Sequence, residues 1–272
     1  EYYRWTDEQT PDIPNDGKAF YTADSFFNLA QVAMEQMGAP LFHGEKLHLD
    51  TPEFERLWNT VFEAAVKGGY AIYSGYSSDL SKTGDILCST GSTAGILFYG
   101  EEITYPDNVK EAVEYAVLPY PTFEGGKKIA IQRGGGLAVA KSTPEKEEAA
   151  ILFLKWFTSP EQNMRFVAST GYLPVTDQAF THHMGREIAQ NNNPNIQKLL
   201  RTAITVHGEY DFYIPPVFAD FNAVSSGFES DFFAIAKERR ERYLEHYSIM
   251  EPEAAYDEAA MGALGEFIRA QS

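Results

Sequence analysis

Three short stretches of the sequence hold residue types that could grip a polar molecule. Residues 89–95 read Ser-Thr-Gly-Ser-Thr-Ala-Gly, four hydroxyls and two glycines, directly after the short apolar run 85–89. A strand that runs into such a turn offers backbone amides and hydroxyls to a polar ligand. The same pattern also suits an ordinary capped turn. Residues 132–136 read Gln-Arg-Gly-Gly-Gly ahead of a second apolar run. Three glycines permit close backbone approach or a hinge, and equally a flexible loop. Residues 170–175, Thr-Gly-Tyr-Leu-Pro-Val, end a helix at Gly171 and start an extended segment with Tyr172. That ring belongs either in the core or over a ligand.

Catalytic patterns are missing around these stretches. His182 and His183 are adjacent, so on a helix they point in different directions and do not share a metal with Glu187; they read as a solvated polar helix start. His43 and His48 flank Gly44 in a surface loop. Cys88 follows Ile86-Leu87 and reads as an inert, buried strand thiol. Residues 91–95 lack the residue between Gly91 and Ser92 that a nucleophile elbow requires. No phosphate-loop or dinucleotide fingerprint occurs, residues 134–136 included. Carboxylate pairs such as Glu101-Glu102 and Glu147-Glu148 are plentiful, but glycoside hydrolysis needs two carboxyls facing each other across a cleft. The residues point to binding without catalysis, with no metal and no cofactor.

Composition narrows the partners. The 272 residues carry 39 acidic and 22 basic side chains, a formal net charge of −17, and a pI near 4.7. Nucleic acid and anionic membranes both need a positive surface, and the basic runs Lys127-Lys128 and Arg239-Arg240 are short and sit among acids. Hydrophobic residues at 44% and aromatics at 14% suffice for a packed core. One cysteine excludes an intramolecular disulfide framework. No run of 18 apolar residues is present, so no membrane-spanning helix is expected. The opening Glu1-Tyr-Tyr-Arg-Trp5 reads like the middle of a longer protein.

The elements that must hold these stretches are legible. Thr51-Pro52-Glu53, Thr143-Pro144-Glu145 and Ser159-Pro160-Glu161 each put a hydroxyl at the cap, proline at the first helical position and an acid in the first turn. Phe54, Leu57, Trp58, Val61, Phe62 and Ala65 follow the first at helical spacing, and Gly68-Gly69 stops that helix. Ala149, Leu152, Phe153, Trp156 and Phe157 repeat the pattern after the second. Further helices are predicted at about 24–37, 229–246 and 253–270. Short strands are predicted at 85–89, 115–118 and 136–140, giving an α/β fold with a mixed or parallel sheet. Residues 191–195 form a polar loop, and 208–226, with Pro215-Pro216, an irregular connection.

Taken in order, these segments resemble the extracellular solute-binding proteins of ABC importers, family 1, which includes maltose and glycerol-3-phosphate binders. The matching stretches are 84–95, 117–121 with Gly125-Gly126, 134–139, 148–161 and 170–176, and the likeness runs from about residue 50 to the C-terminus. The resemblance implies a periplasmic-binding-protein-like type II α/β fold, mainly its C-terminal lobe plus a small segment of the N-terminal lobe. Residues 1–132 and 176–272 would form the second lobe, and 137–172 would cross over into the first. A chain lacking most of one lobe is expected to bind ligand weakly or not at all.

By the same resemblance, Ser92 or Thr93 matches a ligand-binding hydroxyl, Gly134 or Gly135 a backbone amide donor, and Tyr172 the tyrosine of the Gly-Tyr-Leu-Pro motif. The phosphate-pairing arginine of glycerol-phosphate binders falls near 220–224. Here that stretch is Asp-Phe-Asn-Ala-Val, which leaves Asn222 as the polar candidate and favours a neutral sugar or oligosaccharide over glycerol-3-phosphate. Trp5, Tyr213 and Phe221 join Tyr172 as possible stacking platforms. The implied role is a monomeric solute-binding protein that closes two lobes on a small molecule and delivers it to the permease transmembrane subunits. Its implied place is the extracellular face of the membrane or the periplasm, held by a lipid anchor. A glycan- or ester-acting hydrolase and a structural adhesion module are the readings from other classes.

Overall fold

The computed structural model describes residues 1–271. The chain begins with α1 (Tyr2–Asp7), β1 (Ala19–Ala23) and α2 (Phe26–Met37), then a small hairpin of β2 (Phe42–His43) and β3 (Lys46–Leu47). Next come α3 (Pro52–Val66), α4 (Ser77–Thr83) and β4 (Ile86–Thr90), which runs into a tight helical turn at Thr93–Phe98. A second hairpin, β5 (Glu102–Thr104) with β6 (Lys110–Ala112), precedes β7 (Ile129–Ile131). Then follow α5 (Pro144–Phe157), α6 (Pro160–Thr170), a wide helical turn at Ala179–His183, α7 (Met184–Gln190) and α8 (Pro194–Glu209). The chain closes with β8 (Asp211–Tyr213), α9 (Phe221–Tyr247), α10 (Pro252–Ala260) and α11 (Ala263–Ala270).

Local chemistry explains most boundaries. Thr51 Oγ1 accepts from the Phe54 amide at 3.1 Å, as its sequence signal predicts. Thr143 and Ser159 begin α5 and α6 without a side-chain cap. The Ser159 hydroxyl instead donates backwards to the Trp156 carbonyl at 2.6 Å, because the preceding helix ends directly before it. Asn193 Oδ1 caps α8 through the amides of Asn195 and Ile196. The C-terminal helix predicted at 253–270 breaks in two at Gly262, which sits at φ +74°. The helix predicted from 229 starts eight residues earlier, at Phe221, and β8 lies inside the stretch read as irregular.

Two predicted strands do not form. Residues 115–118 are held by side chains of α8, with Lys198 Nζ donating to the Tyr115 carbonyl and Thr202 Oγ1 to the Val117 carbonyl. Those carbonyls are therefore used without a neighbouring strand. Residues 136–140 are exposed and take no strand partner among the described residues. The sheets that do form are mixed overall. β1 pairs with β4 in parallel, Ala19 opposite Ile86 and Ala23 opposite Thr90. β7 pairs with β8 in parallel, Ile129 opposite Asp211. On the far side of β1, Gly69 O accepts from the Phe20 and Tyr21 amides, extending that sheet by one short bridge.

The main core joins α2 and α3 to α9, α10 and α11 through aromatic rings. Phe26 and Phe232 stack with centroids 3.8 Å apart, Trp58 stacks on Phe62 at 4.4 Å, and Phe54, Phe228 and Phe267 close the cluster. A second, smaller core gathers Met164, Val167, Ala179, Met184, Ile188, Ile196 and Leu200 from α6 to α8. α5 departs from expectation. Leu152, Phe153 and Trp156, predicted to face a core, are all more than half exposed. Among the described residues, this face of α5 meets no second layer.

Burial also tunes the tyrosines beneath the sheet. The Tyr21 phenol is pushed up to about 12 by burial, an effect partly offset by its hydrogen bond to Thr90. Burial pushes Tyr70 and Tyr120 up as well. In the unfolded chain these phenols ionise near 10, so the unfolded state loses protons first as pH rises. Their contribution to stability is expected to be constant below about pH 10 and to be lost towards pH 12. Urea midpoints at pH 8, 10 and 11.5 check this; an unchanged midpoint at pH 11.5 would contradict it.

Candidate functional site

The parallel pairing of β1 and β4 sets their carboxyl ends side by side, the place where open α/β sheets hold ligands. The chain leaves β1 through Asp24, whose amide donates to the Thr90 carbonyl at 2.9 Å and whose Oδ1 accepts from the Ser77 amide at 2.8 Å. Its other oxygen faces Gly91. A Cβ on Gly91 would lie 2.2 Å from Asp24 Oδ2, so a side chain there would push this carboxylate aside. Below them, the Tyr21 hydroxyl and Thr90 Oγ1 are 2.6 Å apart.

From Gly91 the chain enters the hydroxyl-bearing turn. Ser92 is exposed, and its Oγ accepts from the Ala94 amide at 3.3 Å, opening the helical turn. Thr93 is half-buried, and Ile96 anchors the turn on the smaller core. Gly171 arrives from α6 at φ +73°; a Cβ there would lie 2.7 Å from the Thr93 carbonyl and 3.0 Å from Ile96 Cγ2. This close approach brings Tyr172 to the turn. The Tyr172 ring, 39% exposed, is 5.4 Å from Phe166, which continues to Phe157 at 5.3 Å and Phe153 at 5.9 Å. Ser92, Thr93 and Tyr172 therefore share one location.

Gly171→Ala is expected to cost about 1–3 kcal/mol, because it combines a disfavoured φ with a backbone clash. The Thr93 and Ala94 amide resonances should shift with it in NMR spectra. A variant with wild-type stability and unmoved amides would refute the contact.

The other predicted residues sit nearby or elsewhere. Gly134 and Gly135 follow β7 in open space, with nothing within 4 Å of where a Cβ would be. Packing does not require them to be glycine. Their neighbour Arg133 donates to Asn28 Oδ1 at 3.0 Å, which ties this loop to the first turn of α2. Asn222 is exposed in the first turn of α9, and among the described residues its side chain forms no hydrogen bond to the others. Phe221 is a core residue, packed against Phe27, Phe42 and Phe218. Trp5 is exposed on α1, beside Tyr2 at 6.0 Å. α1 meets the amino end of β1, where Thr6 Oγ1 accepts from the Lys18 amide, so Trp5 is remote from Asp24. The Tyr213 hydroxyl donates to Gln31 Oε1 at 3.3 Å beneath the surface.

Cys88 is exposed rather than buried, its thiol donating to the Phe20 carbonyl at 3.2 Å, and partial desolvation raises its pKa. Among the described residues β4 is one of only two paired strands in its sheet, and the face that carries Cys88 is left uncovered, so a strand position alone did not bury it. His43 and His48 stack at 4.1 Å on the β2–β3 hairpin, and His183 Nδ1 lies 3.0 Å from Arg186. Among the described residues no three His, Cys, Asp or Glu side chains gather as a metal site.

Sequence reasoning missed Asp24 and Glu229. Asp24 carried a usable signal, an acid between a strand and a Ser25 cap. Glu229 carried none: it lies in mid-helix on α9, yet its Oε1 accepts from Ser25 Oγ at 2.6 Å and the Phe27 amide at 3.0 Å. It caps α2 from two hundred residues away.

Comparison with known proteins agrees with this architecture. Solved structures of similar fold include the cyclic α-maltosyl-1,6-maltose binding protein of Arthrobacter globiformis, with a TM-score of 0.62 at 17% identity. That match covers 93% of this chain and 60% of the other. Maltose-bound MalE3 of T. maritima matches at 0.56 and 14% identity, covering 98% and 64%. UgpB of Mycobacterium tuberculosis in complex with glycerophosphocholine matches at 0.57 and 19%, covering 99% and 62%. At these identities the likeness is one of fold, and the chain spans about 60% of the length of these proteins. No curated protein sequence matches it. The family model described as bacterial extracellular solute-binding protein matches residues 5–195, most of the strands and the whole Ser92–Tyr172 site. The chain belongs to the bacterial extracellular solute-binding protein family.

Proposed function

We propose that this chain supplies one face of the ligand cleft in the substrate-binding component of an ABC importer, and that its solute is a sugar or oligosaccharide. The observation that carries the reading is the wedge of Gly171 against Thr93, which joins Ser92, Thr93 and Tyr172 at the carboxyl ends of parallel strands. Hydroxyls, an acceptor carboxylate on Asp24 and an aromatic face together suit a polyhydroxylated ring. The relatives of similar fold described above are binding proteins, two of them for sugars, which supports a non-catalytic role.

In this reading residues 1–132 and 176–272 form one lobe, and 137–172 carry α5 towards the other. The exposed Leu152, Phe153 and Trp156 are then contact surface for that other lobe. The solute passes to the permease transmembrane subunits after the lobes close, and the protein acts as a monomer tethered by a lipid anchor.

Saturation-transfer NMR of the chain with maltose, longer malto-oligosaccharides and polyol phosphates tests the reading. Millimolar binding lost in Tyr172→Ala is the expected result. Absence of any solute contact, or cleavage of an aryl glycoside dependent on one carboxylate, would overturn it.

A further inference from the structure

Arg133 is held by an uncharged partner. Its NH1 donates to Asn28 Oδ1 at 3.0 Å, and the same oxygen accepts from Gln31 Nε2 at 3.4 Å. Gln31 is fully buried, and its Oε1 in turn accepts from the Tyr213 hydroxyl. A relay from β8 through α2 thus orients a guanidinium at the carboxyl end of β7. Arg133 is itself exposed, and among the described residues no carboxylate lies within ion-pair distance of it, in a chain of net charge −17.

The surroundings suit an oxyanion. Gly134, Gly135 and Gly136 follow with open space where side chains would stand, so a ligand can approach their backbone closely. Two acids near this turn, Asp24 on it and Glu229 reaching in from α9, each already accept backbone or hydroxyl hydrogen bonds. Asp24 Oδ1 takes the Ser77 amide, and Glu229 takes Ser25 Oγ and the Phe27 amide at the positive end of α2. A guanidinium has five donors in a fixed fork, and the Asn28 bond uses one, leaving the others for planar or tetrahedral oxyanions.

We propose that Arg133, positioned by Asn28, Gln31 and Tyr213, is the specificity-determining residue for an acidic group on the solute, so that the ligand is a sugar or polyol bearing a phosphate ester or a carboxylate. This rests on the solute-binding reading above and replaces the neutral sugar expected from the absence of a base at 220–224. Arg133 touches the ligand; Asn28 and Gln31 act only through it.

Saturation-transfer NMR and calorimetric titration of the 272-residue chain with maltose, glycerol 3-phosphate, glycerophosphocholine and glucuronate test the assignment. Binding of an acidic probe is expected to exceed that of maltose and to weaken about 10- to 100-fold in Arg133→Gln, with Arg133→Lys intermediate. Asn28→Ala should lower affinity for the same probe while leaving the weak maltose contact unchanged. The phosphate probes and glucuronate distinguish a phosphate ester from a carboxylate as the preferred group. Preference for maltose, or acidic-probe affinity equal in wild type and Arg133→Gln, overturns the assignment while leaving the solute-binding reading intact. Failure of all four probes removes that reading and the assignment together. Circular dichroism melts of the variants separate loss of binding from loss of fold.

Discussion

Phe232→Ala is expected to destabilise the chain by about 3–5 kcal/mol, the range for deleting a fully buried phenyl ring. The ring lies at the centre of the aromatic core, 3.8 Å from Phe26 and within 6.4 Å of Trp58, Phe62 and Tyr70. These rings come from α2, α3, the segment just after α3 and α9, so no single element can move in to fill the void. Offset and edge-on ring pairs add to the burial that is lost. Urea unfolding followed by tryptophan fluorescence measures the change. Phe153→Ala on α5 is the control, since its ring is 54% exposed and its loss should fall within about 0.5 kcal/mol. Equal effects of the two substitutions would contradict the core described here.

Gln36→Leu is expected to cost roughly 3 kcal/mol despite a nearly equal side-chain volume. Gln36 is buried in α2, where its Nε2 donates to the carbonyls of Pro121 and Ile129, and its Oε1 accepts from the Phe123 amide. Leucine removes the partner of all three backbone groups; the buried Ile129 carbonyl is left unpaired at about 1–3 kcal/mol, and the half-exposed Pro121 carbonyl and Phe123 amide add less because water can reach them. The effect reaches beyond stability, because Ile129 begins β7 and β7 leads to Arg133. Hydrogen exchange at the Phe123 amide should accelerate along with the fall in urea midpoint. Unchanged exchange would show that the amide is protected by something other than Gln36.

The parts of the fold that read clearly from sequence are those governed by short-range chemistry. The Thr51-Pro52-Glu53 start, the six-residue apolar face of α3 and the Gly171 stop all depend on neighbours within a turn or two. The strand at 85–89 and the hydroxyl turn after it were legible for the same reason. Failures occurred where the deciding partner is remote. Residues 136–140 and the apolar face of α5 have the right patterns, but patterning supplies no partner layer, and both stay exposed. Residues 115–118 lost their strand to Lys198 and Thr202 on α8. Within the site, Ser92, Thr93 and Tyr172 were legible as motifs, while their convergence depends on Gly171 meeting Thr93. Asp24, Asn28 and Glu229 went unread because each takes its meaning from a contact across the fold.

The Glu229 cap and the Phe26–Phe232 stack also set a timetable. Both join residues about 200 positions apart, so α2 cannot bury its aromatic face or complete its amino-terminal cap until most of the chain has been made. Closing so long a loop costs conformational entropy before any contact repays it, which slows folding. Synthesis from the amino end proceeds residue by residue, and through most of it the first two-thirds of this chain lacks the α9 surface on which it condenses. A nascent chain of this topology stays open until late, the state that passage across a membrane ahead of folding requires.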